Sequence, residues 1–201
     1  MDQLETSYEN VDGYSISRKV KKRMRDEGFF EETEGLTYGE VRIDEFAALL
    51  HESITSFAPN AKTFADIGSG TGKAVFAAAI AMNSKLESFI GVEIVEELHD
   101  TAVRVLDDLK GSNAIKGIEF HFGDSFEIED KWVHADVIFA PTTCFTDDLM
   151  SRLEQALEKL APGTLVITTT RKLKCKRAEK LLARRCKYAK GSLEFMVWKI
   201  N

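Results

Sequence analysis

The chain has 201 residues, 44% of them hydrophobic, and a formal net charge of -6. This is enough for one substantial hydrophobic core and predicts a single globular domain with a small N-terminal addition. The acidic balance argues against a simple nucleic-acid binder, and no apolar run approaches the ~18 residues of a membrane span, so an intracellular protein, nuclear or cytoplasmic, is predicted.

The three cysteines and four histidines lack the spacing of a metal site. An odd number of cysteines without a C-x-x-C pair also argues against a disulfide framework. The sequence therefore predicts reduced thiols and no metal.

The N-terminal part of the chain is predicted to be mainly helical. Polar residues dominate positions 1–13, for which partial disorder is predicted. An apolar stripe at a spacing of four residues predicts an amphipathic helix over residues 15–27. A second helix is predicted from Asp44, a candidate N-cap, to Pro59, which cannot continue a helix.

The stretch from Lys62 to Lys73 reads KTFADIGSGTGK and is the strongest signal in the sequence. Its apolar start predicts a strand, its glycines a turn, and the alanine-rich residues 74–82 a helix. A helix N-terminus carries unpaired N–H groups and partial positive charge, and glycines let a ligand approach the backbone closely. The stretch predicts a site for a nucleotide-like cofactor, with a plain tight turn as the alternative.

Two later strands end near acidic residues. Residues 89–93 form an apolar run that ends in Glu93, about 25 residues after Gly68, where a carboxylate can accept both ribose hydroxyls. Residues 120–125 predict another strand end, and Asp124 there is placed to reach an adenine edge. Because the carboxyl ends of parallel strands meet at one edge of a sheet, both acids are expected beside the glycine turn.

The rest of the chain alternates helices and strands. Residues 95–109 carry apolar side chains on one face and predict a crossover helix, and residues 135–140 predict a fourth strand that ends at Pro141. The elements predicted beyond the loop are a helix over 149–160, a strand over 164–169, a basic helix over 173–185 and an antiparallel hairpin that ends at residue 200. This order predicts an α/β fold with a mostly parallel sheet.

Positive charge is concentrated in two islands, residues 18–25 and residues 171–190. Their density suits contact with phosphate or with an acidic partner, although a solvated helix face gives the same pattern. Both interpretations stay open from the sequence alone.

Over residues 38–200 the sequence resembles the class I S-adenosylmethionine-dependent methyltransferases, with Asp66-Ile67-Gly68-Ser69-Gly70-Thr71-Gly72 in the place of their glycine motif. Within that superfamily it is most similar to the non-SET histone-lysine methyltransferases of the disruptor-of-telomeric-silencing type. The segments that carry this similarity are Thr37-Tyr38-Gly39-Glu40 as the loop ahead of the cofactor strand, Gly91-Val92-Glu93 as part of the cofactor core, and Val137-Ile138-Phe139 with Phe145 as the fourth strand and its loop.

The resemblance implies a Rossmann-like class I methyltransferase fold, with a mostly parallel seven-stranded sheet and a C-terminal antiparallel hairpin. It implies an N-terminal helical segment with a cofactor-covering loop over residues 1–58, and a domain over residues 59–201 that binds S-adenosyl-L-methionine. The cofactor contacts expected from it are Tyr38, Gly39, Glu40, Val41, Asp66, Gly68, Ser69, Gly70, Thr71, Gly72, Lys73, Glu93, Asp124 and Ser125.

The loop after the fourth strand departs from that family, because Pro141 and Thr142 stand where the family has paired asparagines. Methyl transfer from a sulfonium to an amine needs alignment rather than a metal. An apolar channel also favours the uncharged amine that must attack. The candidate channel walls and nucleophile-orienting hydroxyls are Tyr38, Phe145, Phe195, Thr142 and Thr143, with no phenol at Phe195.

The predicted function is an S-adenosylmethionine-dependent methyltransferase that acts on a protein lysine. In this hypothesis the two basic islands meet an acidic partner such as a nucleosome, and the histones are the substrate. The alternatives are a methyltransferase for a non-histone protein or a small molecule, an S-adenosylmethionine-binding module without catalysis, and a nicotinamide-dependent oxidoreductase.

Overall fold

The computed structural model describes residues 2–29, 33, 35–109, 116–188 and 191–201. The helices in these ranges are α1 (Asp2–Tyr8), α2 (Gly13–Asp26), α3 (Ile43–Phe57), α4 (Lys73–Met82), α5 (Glu96–Asp108) and α6 (Asp147–Leu157). The strands are β1 (Thr63–Ile67), β2 (Ser88–Glu93), β3 (Ile118–Phe122), β4 (Val137–Ala140), β5 (Leu165–Thr169), β6 (Ala178–Lys187) and β7 (Ser192–Ile200).

The strands form one seven-stranded sheet in the order β3-β2-β1-β4-β5-β7-β6. The first five strands in this order run parallel to one another, and β7 runs antiparallel between β5 and β6. The predicted mostly parallel sheet with a C-terminal antiparallel hairpin is confirmed. The strand order reverses between β1 and β4, and ligands of open α/β sheets bind at the carboxyl ends of the strands at such a point.

Helices cover both faces of the central strands, and successive side chains of a strand point to opposite faces. On one face, Phe64 of β1 packs in a cluster with Phe46 of α3 and Val75 of α4. On the other face, Ile67 of β1 belongs to a cluster that includes Leu153 of α6. The alternation along β1 places the side chain of Asp66 on the same face as Phe64, beside the start of α4.

The basic helix predicted over residues 173–185 is wrong, because β6 occupies most of this stretch. β6 pairs with β7 and has a register shift between Lys180 and Leu182. The residues ahead of it, 170–177, form a segment that we call the crossover strap, with Leu173 buried in the α6-side cluster. Many residues of β6 favour helices. Intrinsic propensity is a weak predictor, however, and pairing with β7 overrides it.

The N-terminal residues are more ordered than the sequence predicted. Partial disorder over residues 1–13 is wrong for the residues described, since α1 begins at Asp2 and its Leu4 is buried. The amphipathic helix predicted over residues 15–27 is confirmed as α2. Within the described ranges, no helix combines the length and the apolar character needed to cross a membrane.

Candidate active site

The glycine turn, residues 68–72, lies across the carboxyl ends of β1 and β2. The N–H groups of Gly68 and Ser69 both donate to the carbonyl oxygen of Val92, at 2.8 and 2.9 Å. Gly70 and Gly72 have φ angles of 57° and 85°, which L-residues rarely adopt. The turn leads into α4, whose first N–H groups have no partner within the helix, so the backbone here suits a polar or anionic ligand.

Glu93, the predicted ribose ligand, braces the glycine turn. Its Oε2 accepts the N–H of Gly70 at 2.7 Å, and its Oε1 accepts the N–H of Val95 at 2.8 Å. Burial raises the pKa of this carboxyl, and the backbone hydrogen bonds oppose that rise. A carboxylate oxygen accepts more than one hydrogen bond, so these contacts leave capacity for a ribose hydroxyl.

Asp66 is a buried carboxyl group without a hydrogen-bond partner for Oδ1 among the described residues. Its side chain is 2% exposed, and burial together with the nearby Glu93 raises its pKa well above the ordinary value. Leaving a buried polar atom unpaired is unfavourable, and native structures rarely do so without a functional reason. A carboxyl group in this position fits the cationic amino group of a ligand.

A small cavity of about 20 Å³ opens at this point, between the glycine turn and the loop that contains Tyr38. Asp66 lies in its wall together with apolar side chains from the strand ends. The residues that line it are Tyr38, Gly39, Glu40, Val41, Asp66, Gly68, Ser69, Lys73, Ala74, Phe139, Pro141 and Tyr188. Eight of the predicted cofactor contacts therefore line the same cavity: Tyr38, Gly39, Glu40, Val41, Asp66, Gly68, Ser69 and Lys73.

The Tyr38 loop is fixed to the glycine turn by hydrogen bonds. The hydroxyl of Tyr38 donates to Oε1 of Glu40 at 2.8 Å and shares a second hydrogen bond, also 2.8 Å long, with Oγ1 of Thr71. A Cβ atom on Gly70 would lie only 2.6 Å from the Tyr38 ring, so the ring packs directly on the turn. The loop and the turn thus form one continuous surface.

The predicted adenine contacts lie at the end of β3, outside the cavity lining. The carboxylate of Asp124 accepts the N–H of Phe126 at 2.8 Å and forms an ion pair of 2.8 Å with Arg152. Ser125 is buried, and its carbonyl oxygen accepts the indole N–H of Trp132 at 2.7 Å. Both residues are therefore tied into the loop that follows β3.

Three predicted catalytic residues also lie outside the cavity lining. The hydroxyl of Thr142 is fully buried and donates to the carbonyl oxygen of Thr169 at 2.6 Å. The hydroxyl of Thr143 lies 2.9 Å from that of Thr169. Phe145 packs at the edge of the α6-side cluster, and its carbonyl oxygen accepts a hydrogen bond from Arg171. Tyr38 is the predicted catalytic residue that reaches the cavity.

Tyr188 is a cavity residue that the sequence reasoning missed. It follows β6, forms an isolated bridge with Val41, and its ring approaches so closely that a Cβ atom on Gly39 would lie 2.8 Å away. Its phenol pKa is raised, first by burial and then by Asp66. Phe195, the predicted C-terminal wall, lies behind it with 6.4 Å between the ring centroids. An aromatic residue at the end of a strand that leads back to the site was the available signal.

Ile94 and Phe122 are two further residues that the sequence reasoning missed. Ile94 directly follows β2, and Phe122 is the last residue of β3. Both side chains are large and apolar, yet the two residues are 48% and 53% exposed. In the sheet, Phe122 stands opposite Glu93. An apolar residue directly after the strand-ending acid was the signal for Ile94.

The sequence matches the family described as "Histone methylation protein DOT1" over residues 16–188. Comparison with curated proteins gives no significant match. Among solved structures, the chain is similar to the magnesium protoporphyrin IX methyltransferase (ChlM) of Synechocystis PCC 6803 with bound SAM, at a TM-score of 0.61, 8% identity, and coverage of 96% of this chain and 99% of that chain. It is also similar to the rRNA methyltransferase aviRa of Streptomyces viridochromogenes, at a TM-score of 0.59, 11% identity, and coverage of 81% and 86%.

The fold and the glycine turn, together with these comparisons, define a class I S-adenosylmethionine-dependent methyltransferase, as predicted. More particularly, the chain belongs to the DOT1 histone methylation family, whose match extends from α2 through Tyr188. Its cofactor is S-adenosyl-L-methionine, which the orphaned carboxyl group and the open backbone of the glycine turn fit.

Proposed function

We propose that this enzyme methylates protein lysine, with histones as its substrate class. The observation that carries the cofactor site is the buried Asp66, whose Oδ1 has no partner among the described residues, in a cavity next to the glycine turn. Membership of the DOT1 family supports the choice of acceptor. S-adenosylmethionine, when bound, supplies a methyl group on a sulfonium, which an amine nitrogen accepts in line.

The proposed cofactor site runs along the carboxyl edge of the sheet. Asp66 receives the amino group of the cofactor, and Glu93 holds the ribose from the end of β2. The exposed apolar surfaces of Ile94 and Phe122 support a place for the adenine, with Asp124 and Ser125 at its edge. In this arrangement the carboxylate of Asp66 meets a cationic amino group, and the carboxylate of Glu93 accepts hydrogen bonds from ribose hydroxyls.

The acceptor is proposed to enter between Pro141, Phe139 and Tyr188. These side chains form the aromatic and apolar part of the cavity lining. Such a wall excludes water and disfavours the charged ammonium form, which promotes loss of the proton before attack. Burial raises the pKa of the Tyr188 phenol, so it stays protonated at neutral pH and can donate a hydrogen bond.

The exposed basic face of α2 is proposed to meet an acidic surface of the protein substrate. Arg18, Lys19 and Lys22 are exposed, whereas Arg23 forms an ion pair of 2.6 Å with Glu97. The adjacent Lys21 donates to Oγ1 of Thr37 at 3.0 Å, which connects this helix to the Tyr38 loop. A substrate held on α2 would therefore lie near the cavity.

The second island divides into engaged and exposed residues. Arg171, Arg177 and Arg184 bind acidic side chains or backbone carbonyl groups of the protein itself. Lys172, Lys174 and Lys176 of the crossover strap and Lys180, Arg185 and Lys187 of β6 are exposed, and they form the part that is free for a partner in this proposal. Lys190 belongs to the predicted island but lies outside the described residues.

The test is transfer of radiolabelled methyl groups to intact nucleosomes, free histones and a cell extract, at low and moderate salt. Label on a histone lysine, weakening as salt rises, is the expected result. Label on another molecule alone would reject the histone acceptor and keep the enzyme class. No transfer to any acceptor, with intact cofactor binding, would reject the proposed function.

Matched triple variants test the role of α2. Replacing Arg18, Lys19 and Lys22 by Ala is expected to raise the KM for nucleosomes roughly tenfold at low salt. The variant loses three ionic contacts with phosphate or carboxylate groups of the substrate. The control replaces three lysines that lie before strands at the opposite edge of the sheet, Lys62, Lys85 and Lys116. Equal effects of the two variants would show that only net charge matters.

A further inference from the structure

The N-terminal helix α1 lies ahead of the family match, which begins at residue 16. It packs against α4 and α5. Leu4 is 2% exposed and belongs to a cluster with Phe76 of α4 and Val105 of α5. The ring of Tyr8 meets that of Phe76 edge to face, with 6.2 Å between centroids. These contacts hold the last residue of α1 over the start of α4.

From this position Tyr8 reaches the glycine turn. Its hydroxyl donates to the carbonyl oxygen of Thr71 at 2.5 Å. The Nζ atom of Lys73, two residues further along, lies 4.9 Å from the centroid of the Tyr8 ring. Tyr8 therefore contacts Thr71 in the turn through a hydrogen bond and Lys73, the first residue of α4, through a cation–π interaction.

These contacts close a ring of five residues around the turn. Tyr38 hydrogen-bonds to the hydroxyl of Thr71 and to Glu40, each at 2.8 Å. Glu40 in turn forms an ion pair with Lys73, and Lys73 returns to Tyr8. Two tyrosines thus hold Thr71: Tyr8 binds the backbone carbonyl of Thr71, and Tyr38 binds the side chain of Thr71. The ring joins three segments that are distant in sequence.

The phenols remain donors under physiological conditions. Burial raises the pKa of Tyr8, and burial together with Glu40 raises the pKa of Tyr38. Gly72, which follows Thr71, has a φ of 85° in the left-handed region. A flexible glycine on one side of Thr71 makes an external hydrogen bond useful for fixing its peptide groups.

We propose that Tyr8 is a positioning residue for the cofactor: the hydrogen bond from α1 holds the glycine turn in its binding conformation before S-adenosylmethionine arrives. The N-terminal residues ahead of the family match are then part of the cofactor site. This inference rests on the proposed position of the cofactor along the glycine turn. Preorganisation of this kind strengthens binding because less conformational freedom is lost when the ligand binds.

Tyr8→Phe tests the proposal, since it removes the hydroxyl and keeps the ring over Lys73. Binding of S-adenosylhomocysteine, measured by calorimetry, is expected to weaken about tenfold, the equivalent of one lost hydrogen bond. Amide hydrogen exchange of residues 68–73 in the cofactor-free protein is expected to accelerate. The KM for the cofactor should rise while kcat stays within about a factor of two, as expected for lost binding that is uniform along the reaction.

Thr101→Val is the matched control. It also removes one hydroxyl that donates to a backbone carbonyl, that of Glu97 at 2.7 Å, but within α5. It should leave cofactor binding and exchange of the glycine turn unchanged. A second variant, Tyr8→Leu, removes the ring as well and should weaken binding further than Tyr8→Phe.

The outcomes separate this inference from the proposed cofactor position. Wild-type affinity and exchange in Tyr8→Phe, with weakened binding in Asp66→Asn, would overturn the role of Tyr8 and keep the site. Unchanged affinity in both variants would reject the position of the cofactor itself. Equal weakening of cofactor binding in Tyr8→Phe and Thr101→Val would show that the effect of Tyr8 comes from a general loss of stability. That result would also overturn the inference.

Discussion

The Nζ atom of Lys73 lies 2.6 Å from Oε2 of Glu40, in an ion pair whose side chains are only 21% and 11% exposed. Removing one member leaves the other charge partly buried without its partner. Lys73→Met is therefore expected to lower the free energy of unfolding by about 2 kcal/mol, between the values for exposed and fully buried pairs. Urea denaturation of the cofactor-free protein measures this change.

The matched control is the ion pair of Lys62 with Glu87, which has the same distance of 2.6 Å but side chains that are 58% and 70% exposed. Lys62→Met should cost less than about 0.5 kcal/mol, because water screens the charges. A loss in Lys73→Met no larger than in this control would show that the pair over the glycine turn contributes no more than a surface contact.

Asp66→Asn is expected to stabilise the cofactor-free protein at neutral pH by about 2 kcal/mol, since it removes a buried carboxyl group whose ionisation is opposed by burial and by the nearby Glu93. The same variant should weaken cofactor binding at least tenfold, because a charge-assisted contact is roughly this strong. Thermal unfolding with and without S-adenosylhomocysteine measures both effects. Destabilisation without the cofactor would contradict this assignment.

The stability advantage of the Asp66→Asn variant over the natural protein should depend on pH. The folded-state pKa of the Asp66 carboxyl is raised, so the folded protein binds its proton more tightly than the unfolded chain does. Its stabilising contribution is present below the unfolded value of about 4 and is lost as pH rises through the folded value. The difference in stability should therefore vanish near pH 3 and grow toward neutrality; a constant difference would contradict the raised pKa.

Arg177 is expected to stabilise the fold rather than bind a partner. Its guanidinium donates to the carbonyl oxygens of Glu158 at 2.7 Å and of Leu160 at 3.0 Å, just after α6, and of Asn201 at 2.9 Å. Arg177→Ala should lower the free energy of unfolding by about 2 kcal/mol and leave cofactor affinity unchanged. The neighbouring exposed Lys176 is the control, and Lys176→Ala should cost less than about 0.5 kcal/mol.

Thr142 and Thr143 can be separated by one pair of variants. Thr142→Val leaves the N–H and carbonyl groups of Thr169 without their side-chain partner and should cost about 2 kcal/mol of stability. Thr143→Val should cost less than about 1 kcal/mol, because its hydroxyl is only partly buried. If Thr143 orients the acceptor as predicted, its variant should lower kcat about tenfold despite this small loss of stability. Full activity would remove Thr143 from the catalytic residues.

The cofactor edge was largely predictable because its signals are local. One short stretch contains the apolar run of β1, the glycines that need positive φ, and the start of α4. Their conformations therefore depend mainly on neighbouring residues in the sequence. Glu93 was found in the same way, as the acid that ends an apolar strand. Helix and strand periods sufficed for most of the other elements.

The sequence alone determined the family, the cofactor and the mostly parallel sheet, because these depend on patterns within single elements. Only the tertiary structure decided that β6 is a strand, that Tyr188 enters the cavity, and that Tyr8 reaches Thr71. Each of these depends on contact between segments far apart in the chain. Local propensity favoured a helix where β7 supplies a partner, and no local pattern reports which distant side chain will meet a turn.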